Sequence, residues 1–204
     1  MNKLLIIGAS GHGKVLADIA LKNGYREISF IDDDTSITAV GEYAVIGTFE
    51  NVFGFDSDEY DIIVGIGNAV VRARMQKRLE ESNYNVVSLI HPNAVIAHDV
   101  KIGIGTAVMA GAVINSGSTI GRGCIINTSA SVDHDNIIGD FVHISVAAHT
   151  AGTVTVGDNT WVGIGATVIN NINITRDVMI GAGAVVVKDI IESGTYIGVP
   201  AVKI

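Results

Sequence analysis

The feature that most constrains this chain is a six-residue period of Ile and Val in its second half. From residue 90 to residue 186, sixteen of seventeen positions spaced six apart are Ile or Val, and the exception, Thr150, is also β-branched. The register holds throughout, so this half contains no inserted loop. The seventeen positions are Ile90, Ile96, Ile102, Val108, Ile114, Ile120, Ile126, Val132, Ile138, Ile144, Thr150, Val156, Val162, Val168, Ile174, Ile180 and Val186.

A period of six fits neither an α-helix nor an isolated amphipathic strand. It is typical of hexapeptide repeats that coil into a parallel β-helix, with three hexads in each triangular turn of eighteen residues. The periodic residues are expected to point inward and to stack on their equivalents one turn away. Small inward partners are predicted two residues earlier, at Ala94, Thr106, Ala112, Ser118, Cys124, Ala130, Ala148, Thr160, Ala166 and Ala184.

Glycine follows the periodic residue at an interval of eighteen, at Gly103, Gly121, Gly139 and Gly157. We expect these glycines to form the tight corners of the coil, where a Cβ atom would be strained. The coil has flat sides made of short strands, which predicts that copies of the chain associate.

The first half has the pattern of a small α/β domain. An apolar run at residues 3–7 is followed by the glycine-rich GASGHG segment, by a helical pattern that ends at Gly24, and by a second strand that ends at an aspartate triplet. A further strand, a basic helix and a last strand complete βαβ order with a parallel sheet. The sequence predicts a half-Rossmann domain over residues 1–88 and the coil over residues 89–204.

The glycine-rich turn between strand and helix is a candidate phosphate site. Its backbone N–H groups and the positive end of the helix dipole would face an anion. Asp32 and Asp33 end the second strand and could bind ribose hydroxyls or a base edge, and Gly65 and Gly67 close the next strand. The domain lacks a second βαβαβ half, so a mononucleotide or nucleotide-sugar fits better than a dinucleotide.

Composition excludes several classes of function. The net charge of −8 argues against a nucleic-acid partner, because binding to phosphates needs a basic surface. No apolar run is long enough to span a membrane, and the N-terminal segment does not have the pattern of a signal peptide. A single cysteine, Cys124, fits a reducing compartment, and together these features predict a cytoplasmic protein without a membrane partner.

Two histidines in the segment SASVDHDNIIGDFVHI stand outside the inward series. His134 lies between Asp133 and Asp135, and His143 follows nine residues later, which is half of an eighteen-residue turn. The two histidines should therefore lie on opposite sides of one coil, and two copies packed side by side could bring them together. A neighbouring acid raises the pKa of an imidazole and fixes its tautomer, as a general base requires. Spacing alone leaves open whether Asp133 or Asp135 does so.

A metal site is the rival interpretation of these histidines. Parallel β-helix carbonic anhydrases bind their metal through three histidines across an interface, with a long gap and then a short one. Here the gaps between His134, His143 and His149 are nine and six, so the spacing does not fit and no metal is expected. Cys124 occupies an inward small position and is expected to be a packed thiol.

Several motifs together resemble one known family over the whole chain. They are GASGHGK, DDD at residue 32, VGIGNA, LIHPNAVI, NTSASVDHDNIIGDFVHIS, GIGATVI and YIGVPA. The chain resembles the bacterial sugar acetyltransferases of the PglD and NeuD type, which include UDP-4-amino-sugar N-acetyltransferases and sialic acid O-acetyltransferases. The resemblance implies a left-handed β-helix, a parallel homotrimer with active sites at subunit interfaces, and acetyl-CoA as the cosubstrate.

The resemblance also implies roles for individual residues. His134 would be the catalytic base, supported by Asp135 where many relatives have Glu. Acetyl-CoA would contact His143 of a neighbouring subunit, Gly152, Ile164 and Ala182, the last at a position where the family tends to Gly. The nucleotide-sugar would be held by Gly11, His12, Gly13, Asp32, Asp33 and Gly67.

The function that the resemblance implies is transfer of an acetyl group from acetyl-CoA to the amino group of a nucleotide-linked sugar of the UDP-4-amino-4,6-dideoxy type. No Ser or Cys nucleophile is placed for a covalent intermediate, so direct attack by the acceptor is expected. Sialic acid O-acetylation is the main alternative. A trimeric nucleotide-sugar-binding scaffold without catalysis is a third possibility.

Overall fold

A computed structural model describes residues 3–204, which form two compact units. The division between the units falls after Pro92, a few residues beyond the boundary predicted at residue 88. No helix of residues 3–204 has the length and apolar character needed to cross a membrane.

The N-terminal unit has the predicted βαβ order. Its elements are β1 (Lys3–Ile7), α1 (Gly11–Lys22), β2 (Glu27–Ile31), β3 (Ala39–Val40), β4 (Tyr43–Ala44), a 3-10 helix (Phe49–Gly54), β5 (Asp61–Val64), α2 (Ala69–Glu81), β6 (Asn85–Val86) and β7 (Leu89–Ile90).

Four of these strands form one parallel sheet in the order β2-β1-β5-β6. Leu4 to Ile7 of the central strand β1 are all buried, as expected for a parallel strand covered on both faces. The predicted half-Rossmann architecture is confirmed. The carboxyl ends of β1, β2 and β5 lie at one edge of this sheet, where ligands bind in open α/β folds.

Residues 42–61, which connect β3 to β5, contribute to the core of this unit. The segment includes β4 and the 3-10 helix, and Phe49 and Val52 pack into the apolar cluster on one face of the sheet. Phe49 lies edge-on to Phe53, with ring centroids 5.4 Å apart.

The C-terminal unit is a left-handed parallel β-helix built from very short strands. They are β8 (Val95–Ile96), β9 (Lys101–Ile102), β10 (Ala107–Val108), β11 (Val113–Ile114), β12 (Thr119–Ile120), β13 (Ile125–Ile126), β14 (Ser131–Val132), β15 (Ile137–Ile138), β16 (His143–Ile144), β17 (His149–Thr150), β18 (Thr155–Val156), β19 (Trp161–Val162), β20 (Thr167–Val168), β21 (Asn173–Ile174), β22 (Val178–Ile180), β23 (Val185–Val186), β24 (Gly194–Ile197) and β25 (Val202–Lys203).

From β8 to β23 the strands stack in parallel on three faces, and each pairs with a strand eighteen residues away, whereas β24 and β25 pair in antiparallel orientation. We call these the first face (β10, β13, β16, β19, β22), the second face (β8, β11, β14, β17, β20, β23) and the third face (β9, β12, β15, β18, β21). From Val108 to Val186 every residue of the six-residue series is at most 2% exposed. The predicted inward series is therefore confirmed from Val108 onward, whereas Ile90, Ile96 and Ile102 at the start of the coil are only partly buried. Each turn buries aliphatic surface only because its neighbours are present.

The expected explanation of the corner glycines was wrong. Gly103, Gly121, Gly139 and Gly157 do not have positive φ angles. A Cβ atom built at Gly103 would lie 2.5 Å from the backbone nitrogen of Arg122, so these glycines are needed because the next turn of the coil approaches closely.

The left-handed backbone conformation occurs instead at another position of every hexad. Residues from Gly105 to Gly183, spaced six apart, all have φ between +51° and +77°. From Gly123 onward, every residue of this series donates its N–H to the carbonyl nineteen residues earlier. Ala147, for example, donates to Thr128 at 3.0 Å. Non-glycine residues at this position are Ser129, Asp135, Phe141, Ala147, Thr153, Asn159, Asn171 and Asp177.

Candidate active site

His134 lies at the corner between the second and third faces, two residues after β14. The next residue, Asp135, occupies the left-handed position with φ of 58°, a conformation that Asp tolerates better than most residues. The carboxylate of Asp135 turns back onto the imidazole, and its Oδ2 atom is 2.8 Å from Nδ1 of His134. The corner therefore presents an exposed histidine paired with an acid.

The hydrogen bond to Asp135 fixes the chemical state of the imidazole. A carboxylate can only accept, so Nδ1 carries the proton and Nε2 keeps the lone pair that can accept a proton from a substrate. The hydrogen bond that His134 donates to Asp135 raises the pKa of His134, and the charges of Asp133 and Asp135 add to this effect. Both acids that flank the histidine therefore raise its basicity, and Asp135 contributes most.

Asp133 holds the corner from the other side. One of its carboxylate oxygens accepts the backbone N–H of His134 at 2.9 Å and the side-chain amide of Asn115 at 2.8 Å. The bond from Asn115, followed by the bond from the backbone of His134, lowers the pKa of Asp133. Asp133 therefore remains ionised next to the base.

Gly152 lies one turn further along the coil, directly against the imidazole. A Cβ atom built at Gly152 would be 2.5 Å from Cε1 of His134 and closer still to Nε2. The φ angle of Gly152 is not in the left-handed region, so the absence of a side chain is required by the histidine and not by the backbone. Two predicted site residues, His134 and Gly152, are thus in contact within one chain.

His143 lies on the first face in a different environment. It is 8% exposed, stacks on Trp161 with ring centroids 4.8 Å apart, and has Nε2 3.0 Å from the side-chain amide of Asn127. His134 lies at the corner between the other two faces, so the structure does not bring these histidines together within one chain. Neither Asn127 nor Trp161 was predicted. Asn127 precedes His143 by sixteen residues and Trp161 follows it by eighteen, so the period places both about one turn away.

Ile164 and Ala182 stack at the corner between the first and second faces. The N–H of Gly183 donates to the carbonyl of Ile164 at 2.8 Å, and the side chain of Ile164 is exposed. The residues predicted to contact acetyl-CoA therefore lie at three separate places on one coil.

The glycine-rich turn of the N-terminal unit closes tightly at the start of α1. A Cβ atom at Gly13 would collide with the carbonyl oxygen of Gly8, whereas Gly11 and Gly67 have open space around them. His12 is largely buried, and burial, followed by the charge of Arg72, lowers its pKa to about 4. His12 is therefore neutral near pH 7 and cannot act as a cation toward a phosphate.

The two predicted aspartates differ in what they bind. Asp32 accepts the N–H of Ala9 at 2.7 Å with one oxygen and that of Asp34 at 2.9 Å with the other, so it holds the glycine-rich turn. Asp33 accepts the N–H of Phe49 at 2.8 Å with one oxygen only. The second oxygen of Asp33 is the one better placed to bind a ligand.

Both aspartates line a cavity of about 280 Å³ at the carboxyl edge of the sheet. Its walls combine apolar side chains with the two acids and one arginine. The lining residues are Ile7, Gly8, Ile31, Asp32, Asp33, Phe49, Ile66, Val71, Arg74 and Met75. Phe49, Arg74 and Met75 were not predicted, because they lie in the 3-10 helix and α2 and belong to no motif.

The remaining candidates are accounted for by packing. Cys124 is fully buried, and its thiol lies 3.1 Å from the carbonyl of Gly139. His149 bonds to the hydroxyl of Ser131 through Nδ1 at 2.8 Å. Over residues 3–204 no group of three His, Cys, Asp or Glu side chains could hold a metal ion.

Comparison with known proteins gives the family of this chain. Residues 3–79 match the PglD N-terminal domain. UDP-N-acetylbacillosamine N-acetyltransferase of Bacillus subtilis (strain 168) is 36% identical over 113 residues, which is 54% of this chain and 52% of that protein. The matched segment thus spans about half the length of this curated relative.

Solved structures resemble the whole chain. The acetyltransferase domain of PglB from Neisseria gonorrhoeae FA1090 is 39% identical, covers 100% of both chains and has a TM-score of 0.96. PerB from Caulobacter crescentus, solved in complex with CoA and GDP-perosamine, is 36% identical over 99% of this chain and 97% of its own, with a TM-score of 0.94. The chain therefore belongs to the hexapeptide-repeat sugar acetyltransferases of the PglD and NeuD type.

Proposed function

We propose that this protein transfers the acetyl group of acetyl-CoA to the amino group of a nucleotide-linked amino sugar of the UDP-4-amino-4,6-dideoxy type. The names of its relatives support N-acetylation, because one is a UDP-N-acetylbacillosamine N-acetyltransferase and another was solved with CoA and GDP-perosamine. The PglB acetyltransferase domain was also solved with acetyl coenzyme A.

The observation that carries the proposal is the exposed pair of His134 and Asp135. The imidazole is fixed at Nδ1 by the carboxylate, has a raised pKa, and has Nε2 available as a base. An amine that attacks a thioester becomes positively charged and must lose a proton before the product amide forms. A positioned histidine can take that proton near neutral pH.

The reaction follows from these groups. The neutral amine of the sugar attacks the thioester carbonyl, and the C–N bond forms as the carbonyl becomes an oxyanion. Nε2 of His134 takes one proton from the nitrogen, and Asp135 stabilises the imidazolium. Collapse of the oxyanion breaks the C–S bond, and the imidazolium returns its proton to the departing thiolate. The products are the N-acetylated sugar and CoA.

The same proposal assigns the remaining residues. Acetyl-CoA binds along the coil beside Gly152, Ile164 and Ala182 and contacts His143 of a neighbouring copy in a trimer. The support for a shared site is that His143 lies on the first face, away from the corner that carries His134. The nucleotide binds at the glycine-rich turn of Gly11 to Gly13, Gly67 and the cavity that Asp32 and Asp33 line.

The proposal is tested by release of free CoA thiol with a panel of UDP-, GDP-, dTDP- and CMP-linked amino sugars. We expect turnover with a UDP-4-amino sugar and a loss of about 10²–10⁴-fold in kcat for His134→Ala, with acetyl-CoA binding retained. Turnover only with a GDP-linked amino sugar would show that the acceptor carries GDP and not UDP. Acetylation of sialic acid alone, or no thiol release with any acceptor, would contradict the proposal.

A further inference from the structure

The corner that carries His134 has a polar side chain directly behind it, inside the coil. The inward position two residues before the periodic Ile or Val is apolar or hydroxyl-bearing almost throughout the coil. At this corner the inward column consists of Ser118, Asn136, Val154 and Ile172, each at most 6% exposed. Asn136 is fully buried and contributes a carboxamide to an aliphatic interior, which is the environment least favourable to it.

The amide nitrogen of Asn136 is surrounded by backbone carbonyls of the catalytic corner. It donates to the carbonyl of Asp133 at 2.9 Å, to that of His134 at 3.1 Å and to that of Ala151 at 2.8 Å. These three acceptors fix the orientation of the carboxamide, because an amide oxygen could not face three carbonyls. Ser118 adds a second donor, since its hydroxyl is 2.7 Å from the carbonyl of Asp133.

The oxygen of Asn136 is buried and has no hydrogen-bond partner among residues 3–204. An unsatisfied buried oxygen costs free energy, and a hydroxyl residue such as Ser118 bonds to a backbone carbonyl without this cost. Stability alone therefore does not explain the presence of Asn at this position. What the side chain adds is a connection between the backbone on both sides of the histidine and Ala151, which adjoins Gly152.

We propose that Asn136 is a positioning residue, which orients the backbone of Asp133 and His134 so that the imidazole is held against Gly152, with Ser118 as its support. This inference rests on the proposed role of His134 as the base. Like the other corners, this one bends at a residue with a left-handed φ angle, Asp135, whose N–H donates to the carbonyl of Ser116 at 3.0 Å. What is particular to this corner is that a buried amide also bonds to the two carbonyls that precede Asp135.

Hydroxyl residues elsewhere in the coil indicate a substitution that would remove only some of the bonds of Asn136. Thr106, Ser118 and Thr160 each donate to the carbonyl fifteen residues further along, at 2.9, 2.7 and 3.2 Å. The carbonyl fifteen residues after Asn136 is that of Ala151. A serine at this position is therefore expected to keep the bond to Ala151 and to lose the bonds to Asp133 and His134.

The test compares Asn136→Val and Asn136→Ser with Thr106→Val and His134→Ala. Thr106 is a matched control, because its buried hydroxyl makes the same kind of bond at another corner. We expect Asn136→Val to lower both Tm and kcat, the latter about 10–100-fold, with KM for acetyl-CoA nearly unchanged. Asn136→Ser should recover Tm but not kcat, and Thr106→Val should lower Tm while kcat is retained.

The outcomes separate the positioning role from a structural one. Two results would overturn this inference if His134→Ala is impaired as expected. One is recovery of both kcat and Tm in Asn136→Ser, and the other is a normal kcat in Asn136→Val. If Asn136→Val does not fold, Asn136→Ser alone decides the question. A normal kcat in His134→Ala would overturn both the proposed function and this inference.

Discussion

Replacing Gly152 with alanine should inactivate the enzyme by displacing a neighbouring side chain. An ideal Cβ atom at Gly152 lies 2.5 Å from Cε1 of His134, whereas nonbonded carbon atoms approach to about 3.5 Å. The imidazole must therefore move by about 1 Å, and a displacement of this size can reduce a rate about 10²-fold. We expect Gly152→Ala to lower kcat by about that factor.

The fold should survive this substitution. Gly152 does not have a left-handed φ angle, so alanine introduces no backbone strain. The side chain of His134 is 58% exposed and can swing into solvent. We expect the free energy of unfolding to change by less than about 1 kcal/mol. Gly54→Ala is the control, since a Cβ atom there meets no other atom within 4 Å.

A double-mutant cycle shows whether the effect acts through the histidine. Steady-state thiol release is measured for Gly152→Ala, His134→Ala and the double variant. If alanine acts by moving the imidazole, it should cause almost no further loss of kcat once His134 is absent. Equal losses in both backgrounds, or normal turnover of Gly152→Ala, would refute the reasoning.

Two further predictions follow from the corner geometry. Asp135→Asn keeps a residue that tolerates the left-handed conformation but removes the carboxylate that raises the pKa of His134. His134 then stays neutral to lower pH, so the acid limb of the pH profile of kcat/KM should move to lower pH. The plateau of kcat/KM should fall about 10-fold or more. An acid limb that does not move would contradict the role assigned to Asp135. Ala147→Gly should stabilise the coil by about 0.5–1 kcal/mol, because Ala147 has a φ angle of 51°, which glycine adopts without strain. Ala148→Gly should destabilise the coil by about 1–2 kcal/mol, because the methyl group of Ala148 is buried. Thermal unfolding of the two variants compares them directly, and shifts of the same sign would disprove this explanation of the corners.

The coil was predictable because the same six-residue pattern repeats along it. The inward Ile and Val residues, together with Thr150, all occupy the same environment. The period of six therefore defines the faces and the core. The left-handed corners were not predictable, since residues such as Phe141 and Thr153 do not favour that conformation. They adopt it because their N–H groups bond to carbonyls of the preceding turn, at 2.8 Å for Phe141 and 2.9 Å for Thr153.

The candidate site was predictable in part for similar reasons. His134 and Asp135 are adjacent in sequence, and Gly152 is eighteen residues from His134, so local spacing and the period place all three. The cavity residues Phe49 and Arg74 come from separate elements of the N-terminal unit, and their meeting depends on the packing of the whole unit.

Subunit complementation tests the account most directly. His134→Ala and His143→Ala chains are each assayed alone, and then after they have been unfolded and refolded together in equal amounts. If each site takes His134 from one subunit and His143 from its neighbour, random trimers should regain about one quarter of the wild-type activity. Activity no higher than the mean of the two separate variants would contradict a shared site.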